Sequence, residues 1–508
     1  MGIRRRGRSA PIIGSPSGPR PRVHLIALIV ALCAAGAVLS LHLDTVPGLH
    51  GDEAWVGIRA HDILLGARPV LGMNEYTGAV HQYLVAGLMW VFGCHVWVLR
   101  AISVVCALAS VWLLSGVVRR LFDDLTATLS VAILIALPFY SAFGRLAGEN
   151  FALNPVLALS AVRCLLASND AAGARRLAWC VAAGVLLGLG VWNHLIFIAI
   201  PIAILVTMAV RDRRALTRDG RLYFTLAGMA LGLAPRALAG AATTSIAVQT
   251  VLGGLLLRIL EWPVLLAQVL HGDMLFQRFA GEVALRTPDV TVVLLVAGVI
   301  IAIRRGGFGR DLLAFVLALL AATALVSPGN SDRYFLLILY VCPIFIALLF
   351  RWMADVSRLR VMSWVLFCIF IAGSAARVGV NYFRAQLISH GRASEFMMGS
   401  QPETSNHFIR TDELYRDLVS RGARRIWAEF FIAEPLRFYD LEAGQFHSVV
   451  TVDRLPESES AAHLLGASGP ESYAIVYAAG LRRVERNQYS GFDVVTGDRQ
   501  FVVLRPAR

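Results

Sequence analysis

The sequence predicts an α-helical polytopic membrane protein of about eleven transmembrane helices, with outer-face amphipathic helices, followed by a small extracytoplasmic α/β domain. Three observations carry this. Hydrophobic residues make up 57% of the 508 and charged residues only 16%, with a mean hydropathy of +0.64. Apolar runs recur from Val23 onward, and the arginines gather at their ends. Beyond about residue 380 the composition turns polar and alternating.

The first 22 residues are a basic tail carrying Arg4, Arg5, Arg6, Arg8, Arg20 and Arg22 among proline, glycine and serine. Val23 to Leu43 is long enough to cross the hydrocarbon core, and the many later spans mark it as a retained signal anchor. The positive-inside rule then puts the tail in the cytoplasm and the stretch "LHGDEAWVGIRAHDILLGARP" outside. Further spans are expected near 95–118, 125–143, 151–166, 177–191, 195–210, 222–239, 290–303, 312–326, 334–350 and 361–380.

Two more apolar stretches, 79–93 and 251–270, are settled by parity. Counting neither keeps Arg119/Arg120, Arg175/Arg176, Arg211/Arg213/Arg214, Arg304/Arg305 and Arg351/Arg358/Arg360 all on the side of the basic tail. Both stretches are therefore expected to be interfacial or re-entrant helices on the outer face, the second broken by Glu261-Trp262-Pro263, with Arg258 and Trp262 in the headgroup zone. The division is a cytoplasmic tail over 1–22, a membrane domain over 23–380 and an extracytoplasmic α/β domain over 381–508. In the last, "RTDELYRDLVSRG" reads as a helix capped by Thr411 and ended by Gly422, and "RRIWAEFFIA", "ESYAIVYAA" and "RQFVVLRP" read as strands.

All 47 basic residues are arginine, so a cationic phosphate contact must be a guanidinium fork and Schiff-base chemistry has no lysine. The +13 charge forms no basic stripe with interleaved aromatics, which excludes nucleic acid as a partner. The seven cysteines are scattered without a CxxC pair, so neither a disulfide framework nor a zinc site is indicated, and His50, His81 and His194 have no spacing that demands a metal.

The chemistry concentrates in the outer loops. Asp52 follows Gly51 and opens a helical segment with Val56, Ala60, Ile63 and Leu64 on one face; it is either the helix N-cap or a carboxylate at the membrane boundary, where weak solvation favours taking up a proton. Glu53 suits the first turn of a helix. Glu149, in "FGRLAGENFALNP", is the next outward acid, with Arg145 a helical turn before it; these are a dipole-matching Glu and an interfacial anchor, or members of a site. Arg333 and Tyr334, in "SDRYFL", open a late span, where the arginine either snorkels or holds a lipid phosphate. Asn193 and His194 stand at the turn between the fifth and sixth spans.

Taken in order, "DEA" after the first span, "LLGARPV", "HQYLVAGLMWVFG", "VLRAISVVCALASVWLLSGVVRRLF", the second outer acid, "GVLLGLGVWNHLIF" and "RYFLLILYVCP" resemble the bacterial dolichyl-phosphate-mannose-protein-mannosyltransferase-like, or aminoarabinose-transferase-like, integral membrane glycosyltransferases of the C-type fold. The resemblance covers roughly Val23 to Phe350. It implies a polyprenyl-phosphate sugar as donor, an envelope lipid, glycan or protein as acceptor, and a site facing the periplasm or cell exterior from the bacterial plasma membrane. It implies Asp52 as catalytic base or acceptor-orienting acid, Glu53 beside it, Glu149 as second acid, and Arg333 near the donor phosphate. Relatives commonly read "EKPPL" where this chain has "NEYTGAVHQYL", so Tyr76, His81 or another arginine such as Arg145 takes the place of that lysine. No nucleotide or metal cofactor is implied by a motif. The rival class is a multi-span transporter or lipid flippase, which would place its charges near the midplane in broken spans.

Overall fold

The computed structural model describes residues 21–148, 152–218, 220–239, 248–273, 275–276, 285–288, 290–326, 332–389, 411–445, 448–451, 471–477, 492–497 and 501–506. Its first part is a bundle of helices: α1 (Pro21–Ser40), α2 (Gly51–Leu64), α3 (Val80–Phe92), α4 (Val96–Leu121), α5 (Asp124–Ala136), α6 (Pro138–Phe143), α7 (Leu153–Asp170), α8 (Gly173–Asn193), α9 (Ala199–Arg218), α10 (Arg221–Leu238) and α11 (Val248–His271). Helices Val290–Arg305, Phe308–Val326, Cys342–Asp355 and Arg360–Arg377 follow.

Six helical segments among the described residues are long and apolar enough to cross a membrane: 22–40, Val96–Leu121, Gly173–Asn193, Phe308–Val326, Leu336–Asp355 and Ser357–Leu387. The other stretches expected to span are shorter, as Val290–Arg305 is at 16 residues, or split, or, like the 18-residue α7 and α10, long enough but less apolar. Leu137 precedes Pro138, is held extended, and splits the expected 125–143 span into α5 and α6. The last helix does not stop at Val380: after Arg377 it widens into a π-helix, Val378–Arg384, and continues through Ala385–Ser389.

The two stretches set aside by parity behave differently. At 13 residues α3 reaches about 20 Å, short of a bilayer core of about 30 Å, in keeping with an interfacial helix. By contrast α11 is one helix straight through Pro263, so the expected break is absent, and Trp262 is buried, packed edge-on against Phe335 at 4.7 Å.

Two G-x-x-x-G pairs join α8 to α10. A Cβ at Gly184 or Gly188 would fall 2.0 or 2.2 Å from the Thr225 or Met229 carbonyl oxygen, and one at Gly228 or Gly232 would fall 2.2 or 2.3 Å from that of Val181 or Val185. Backbone therefore lies directly on backbone along this seam.

Beyond the bundle stands a five-stranded mixed sheet of order β2-β1-β3-β5-β4, made of β1 (Arg425–Ala428), β2 (Ser448–Thr451), β3 (Ser472–Tyr477), β4 (Phe492–Gly497) and β5 (Phe501–Pro506). β1 pairs in parallel with β2 and β3, and β5 runs antiparallel to β3 and β4. The β1–β2 crossover is the helix Phe430–Glu442, as a parallel pair requires. "EFFIA" is thus mostly helical, where the sequence reads as strand. The helix Thr411–Ser420 and the turn at Gly422, with φ +73°, fall as expected, but Thr411 is the first helical residue and its buried hydroxyl meets no hydrogen-bond partner among the described residues, so it is not the cap.

Residues of α2, α3 and the start of α4 share one apolar core with the sheet unit: Val56, Ala60, Val85 and Leu99 cluster with Leu418, Ile426, Ile432 and Phe438. The helix bearing Asp52 is therefore the joint between bundle and sheet unit.

Candidate active site

The cap of α2 is His50, not Asp52. His50 is extended, its Nδ1 accepts the Asp52 N–H at 3.1 Å, and the Glu53 carboxylate accepts the His50 N–H at 3.2 Å. This reciprocal arrangement resembles a capping box built on an imidazole. Asp52 thereby occupies the second helical position, 39% of its side chain accessible and Oδ2 3.7 Å from His50 Nδ1.

Glu53 points inward and is 2% exposed. Arg100 donates from Nε to Glu53 Oε1 at 3.0 Å and from Nη2 to Oε2 at 2.8 Å, a parallel fork. The Ala147 N–H donates to Oε1 at 2.8 Å. Arg100, fully buried, spends its remaining N–H groups on the carbonyls of Leu43 and Pro47 at 2.9 Å and Gly48 at 3.2 Å. One ion pair thus ties together the loop after α1, the start of α2, the start of α4 and the loop after α6. Sequence reasoning missed Arg100; the available signal was a lone charge inside an apolar span, which must have a partner.

Arg145 lies in that last loop and is fully buried. It donates to the carbonyls of Val38, at 3.5 Å, and Leu41, and its guanidinium stands 5.1 Å from the centre of the Phe383 ring. Burial holds it down to about 10; Tyr382 and Glu53 oppose the shift and Arg100 adds to it, and it stays cationic at neutral pH. Arg145 and the Glu53–Arg100 pair therefore form one electrostatic group. Glu149 lies outside the described residues, two positions along the chain from Ala147.

Tyr76 and His81 sit elsewhere. The loop before α3 closes through a Leu71–Gly78 bridge and docks on the end of α8: Thr77 bridges His194, the Gly78 N–H donates to the Asn193 carbonyl at 2.9 Å, and Leu195 N–H donates to that of Tyr76 at 2.9 Å. The Tyr76 and His194 rings lie 5.4 Å apart, and Arg236 donates to the carbonyls of Glu75 and, at 3.4 Å, Thr77. His81, in the first turn of α3, is 1% exposed, and neither ring nitrogen meets a hydrogen-bond partner among the described residues. Burial pushes it down to about 4, so it is neutral at pH 7 and supplies no positive charge to a phosphate.

Arg333 and Tyr334 lie on a short 3-10 turn, Asp332–Phe335, where Tyr334 is buried. The side chain of Arg333 lies outside the described residues.

The roof over α2 is the helix Phe430–Glu442. A Cβ on Gly51 would be 3.0 Å from Phe430 and Phe431, and one on Gly57 only 2.3 Å from Phe438. The His50 and Phe431 rings are 5.1 Å apart, and His95 meets Glu442 at 3.1 Å. Glu429, at the N-cap position of that helix without a side-chain cap bond and not foreseen, has its carboxyl pushed up by burial. Among the described residues no group of three or more His, Cys, Asp or Glu side chains could hold a metal.

Comparison with known proteins now bears on this arrangement. Residues 77–238, from the docking loop to the end of α10, match the model of the dolichyl-phosphate-mannose-protein mannosyltransferase family. No curated protein matches the chain by sequence. The apo structure of ArnT from Cupriavidus metallidurans superposes with a TM-score of 0.57 at 14% identity, over 95% of this chain and 98% of that one. The same protein bound to undecaprenyl phosphate gives 0.58 at 14% identity, over 94% and 97%. The Archaeoglobus fulgidus oligosaccharyltransferase gives 0.50 at 13% identity, over 90% of this chain and 70% of that one. The chain is a multi-span membrane protein with the C-type glycosyltransferase fold.

Proposed function

We propose that the chain transfers a sugar from a polyprenyl-phosphate donor to an acceptor of the cell envelope, at the outer boundary of the bacterial plasma membrane. The observation that carries this is the division of labour between adjacent acids: Glu53 is saturated by Arg100, Ala147 and His50, while Asp52 beside it is held by the same cap yet accessible. Asp52 is the base. The acceptor hydroxyl attacks the anomeric carbon from the face opposite the phosphate as its proton passes to Asp52; the bond from carbon to phosphate oxygen breaks, and the polyprenyl phosphate leaves with the electron pair, giving inversion.

Glu53 orients the loop instead of taking a proton. Glu149, close in the chain to Ala147, is the second acid. The leaving phosphate is met by arginine, with Arg333 and Tyr334 as its contacts and Arg145 as the nearby permanent charge; Tyr76 is left to shape the donor side and neutral His81 to fill it. Similarity of fold to a protein that binds undecaprenyl phosphate supports a lipid-linked donor. The sheet unit, packed on α2, serves as the acceptor-side wall, outside the membrane, with the basic N-terminus in the cytoplasm.

Intact-mass analysis of polyprenyl-phosphate sugars and envelope glycans, with and without the gene, tests the reading. Loss of the gene should raise one lipid-linked sugar and remove one sugar increment from an acceptor. Reconstituted protein that moves a lipid across the bilayer without forming a glycosidic bond would establish the transporter reading instead.

A further inference from the structure

On the membrane face opposite Asp52, α1, α4 and α7 enclose a cavity of about 420 Å³ whose walls include Trp112, Gly116, Arg119, Arg120, Arg163 and Asp170. Arg119 stands 3.7 Å from Asp124, and Arg120 pairs with Asp170. Arg163 has no carboxylate partner among the described residues. It lies seven residues before the end of α7, about 10 Å inside that end of the helix, and is exposed on the outside of the bundle, where lipid lies.

The pocket is shaped around this residue. The Arg163 guanidinium lies 5.2 Å from the centre of the Trp112 ring, and a Cβ on Gly116 would come within 2.2 Å of Nη1. Absence of a side chain at Gly116 therefore makes the room that the guanidinium fills. Gly116 is one helical turn before Arg120, so three guanidinium groups occur at two depths: two at the rim, and one below them without a counter-charge among the described residues. Leu25, Leu28 and Leu166 supply apolar wall. His24, also in the wall, is engaged with Thr128 at 2.8 Å and Ser115 at 3.1 Å.

An uncompensated charge at this depth is costly, and basic pockets between helices at this level suit acidic lipid headgroups. We infer that the pocket binds the headgroup phosphate of an anionic phospholipid from the leaflet on the Arg119/Arg120 side. Arg163 is its inner ligand, Arg119 and Arg120 are its rim, and the apolar wall takes the start of an acyl chain. The site is separate from the one at Asp52 and acts as a lipid anchor for α1, α4 and α7.

The test is lipid binding to full-length, delipidated protein in detergent, read by native mass spectrometry with phosphatidylglycerol, cardiolipin and phosphatidylcholine, and with inorganic phosphate as competitor. Anionic lipids should bind at least about tenfold tighter than phosphatidylcholine. Arg163→Gln should abolish that preference, and Arg163→Lys should keep part of it. If Arg163→Gln does not fold, Arg120→Gln at the exposed rim decides, with weakened anionic binding expected. Equal binding of phosphatidylcholine, an unchanged preference in the deciding variant, or full displacement by inorganic phosphate at the lipid's own concentration would overturn the inference. The readout needs no sugar transfer, so it stands apart from the proposed activity.

Discussion

Arg100 meets Glu53 through two parallel hydrogen bonds of 3.0 and 2.8 Å, in a place where the arginine is fully buried and the glutamate 2% exposed. Removing one partner leaves the other charged and dry. Glu53→Leu or Arg100→Met should cost about 3–5 kcal/mol each, and the two combined should cost less than the sum of these single changes. Thermal unfolding in detergent measures this; additive losses would mean the pair is not coupled.

Asp52→Asn should behave in the opposite way. The side chain is 39% accessible, and the cap bond runs from its backbone N–H to His50, which an asparagine keeps. Melting temperature should be unchanged while turnover falls about 10²-fold or more. Wild-type turnover in a well-folded variant would remove Asp52 from the mechanism.

His81 makes a pH prediction. Its folded pKa of about 4 lies below the usual 6.5, so the neutral ring contributes stability that is complete above about pH 6.5 and is lost as pH falls toward 4. Wild-type protein should therefore lose melting temperature between pH 7 and pH 5, and His81→Leu should flatten that acid limb. An identical acid limb in the variant would show that other groups produce it.

Gly57 tests the docking of the sheet unit. Its missing Cβ would fall 2.3 Å from Phe438, whereas a Cβ at Gly87 would meet nothing within 4 Å. Gly57→Val should destabilise the protein by about 1–3 kcal/mol, speed proteolysis of the sheet unit and lower turnover, with Gly87→Ala as an inert control. Unchanged proteolysis in Gly57→Val would mean that the two parts are not held by this contact.

Periodicity and arginine placement made most of the bundle helices legible, because apolar run length and basic ends are local properties. α2 and its two acids could be read for the same reason. The pairing of Glu53 with Arg100, 47 positions away, could not, since only the folded loops bring them together. His50 was passed over because imidazole is an uncommon cap, and Asp next to Gly is the usual one. Phe430 to Ala433 have strand-like residues but lie in a helix, where they pack on Gly51 and beside α2; tertiary burial overrode local preference. The lone arginine at position 163 follows the same lesson as Arg100: a charge in an apolar run announces a partner without saying which one.

The seam between α8 and α10 has a mechanical consequence. Side chains between two helices act as bearings, because changes of rotamer let the helices slide and roll. Where a carbonyl oxygen stands within 2.3 Å of the place a Cβ would take, as at Gly184, Gly188, Gly228 and Gly232, there are no bearings, and the two helices form a single beam. The loop carrying Tyr76 is fastened to one end of that beam through Asn193 and His194, and Arg236 from the other helix holds the same loop. The lipid-linked donor proposed above, if it enters from the side, would therefore have to part other helices, leaving this strut as the fixed edge of the doorway.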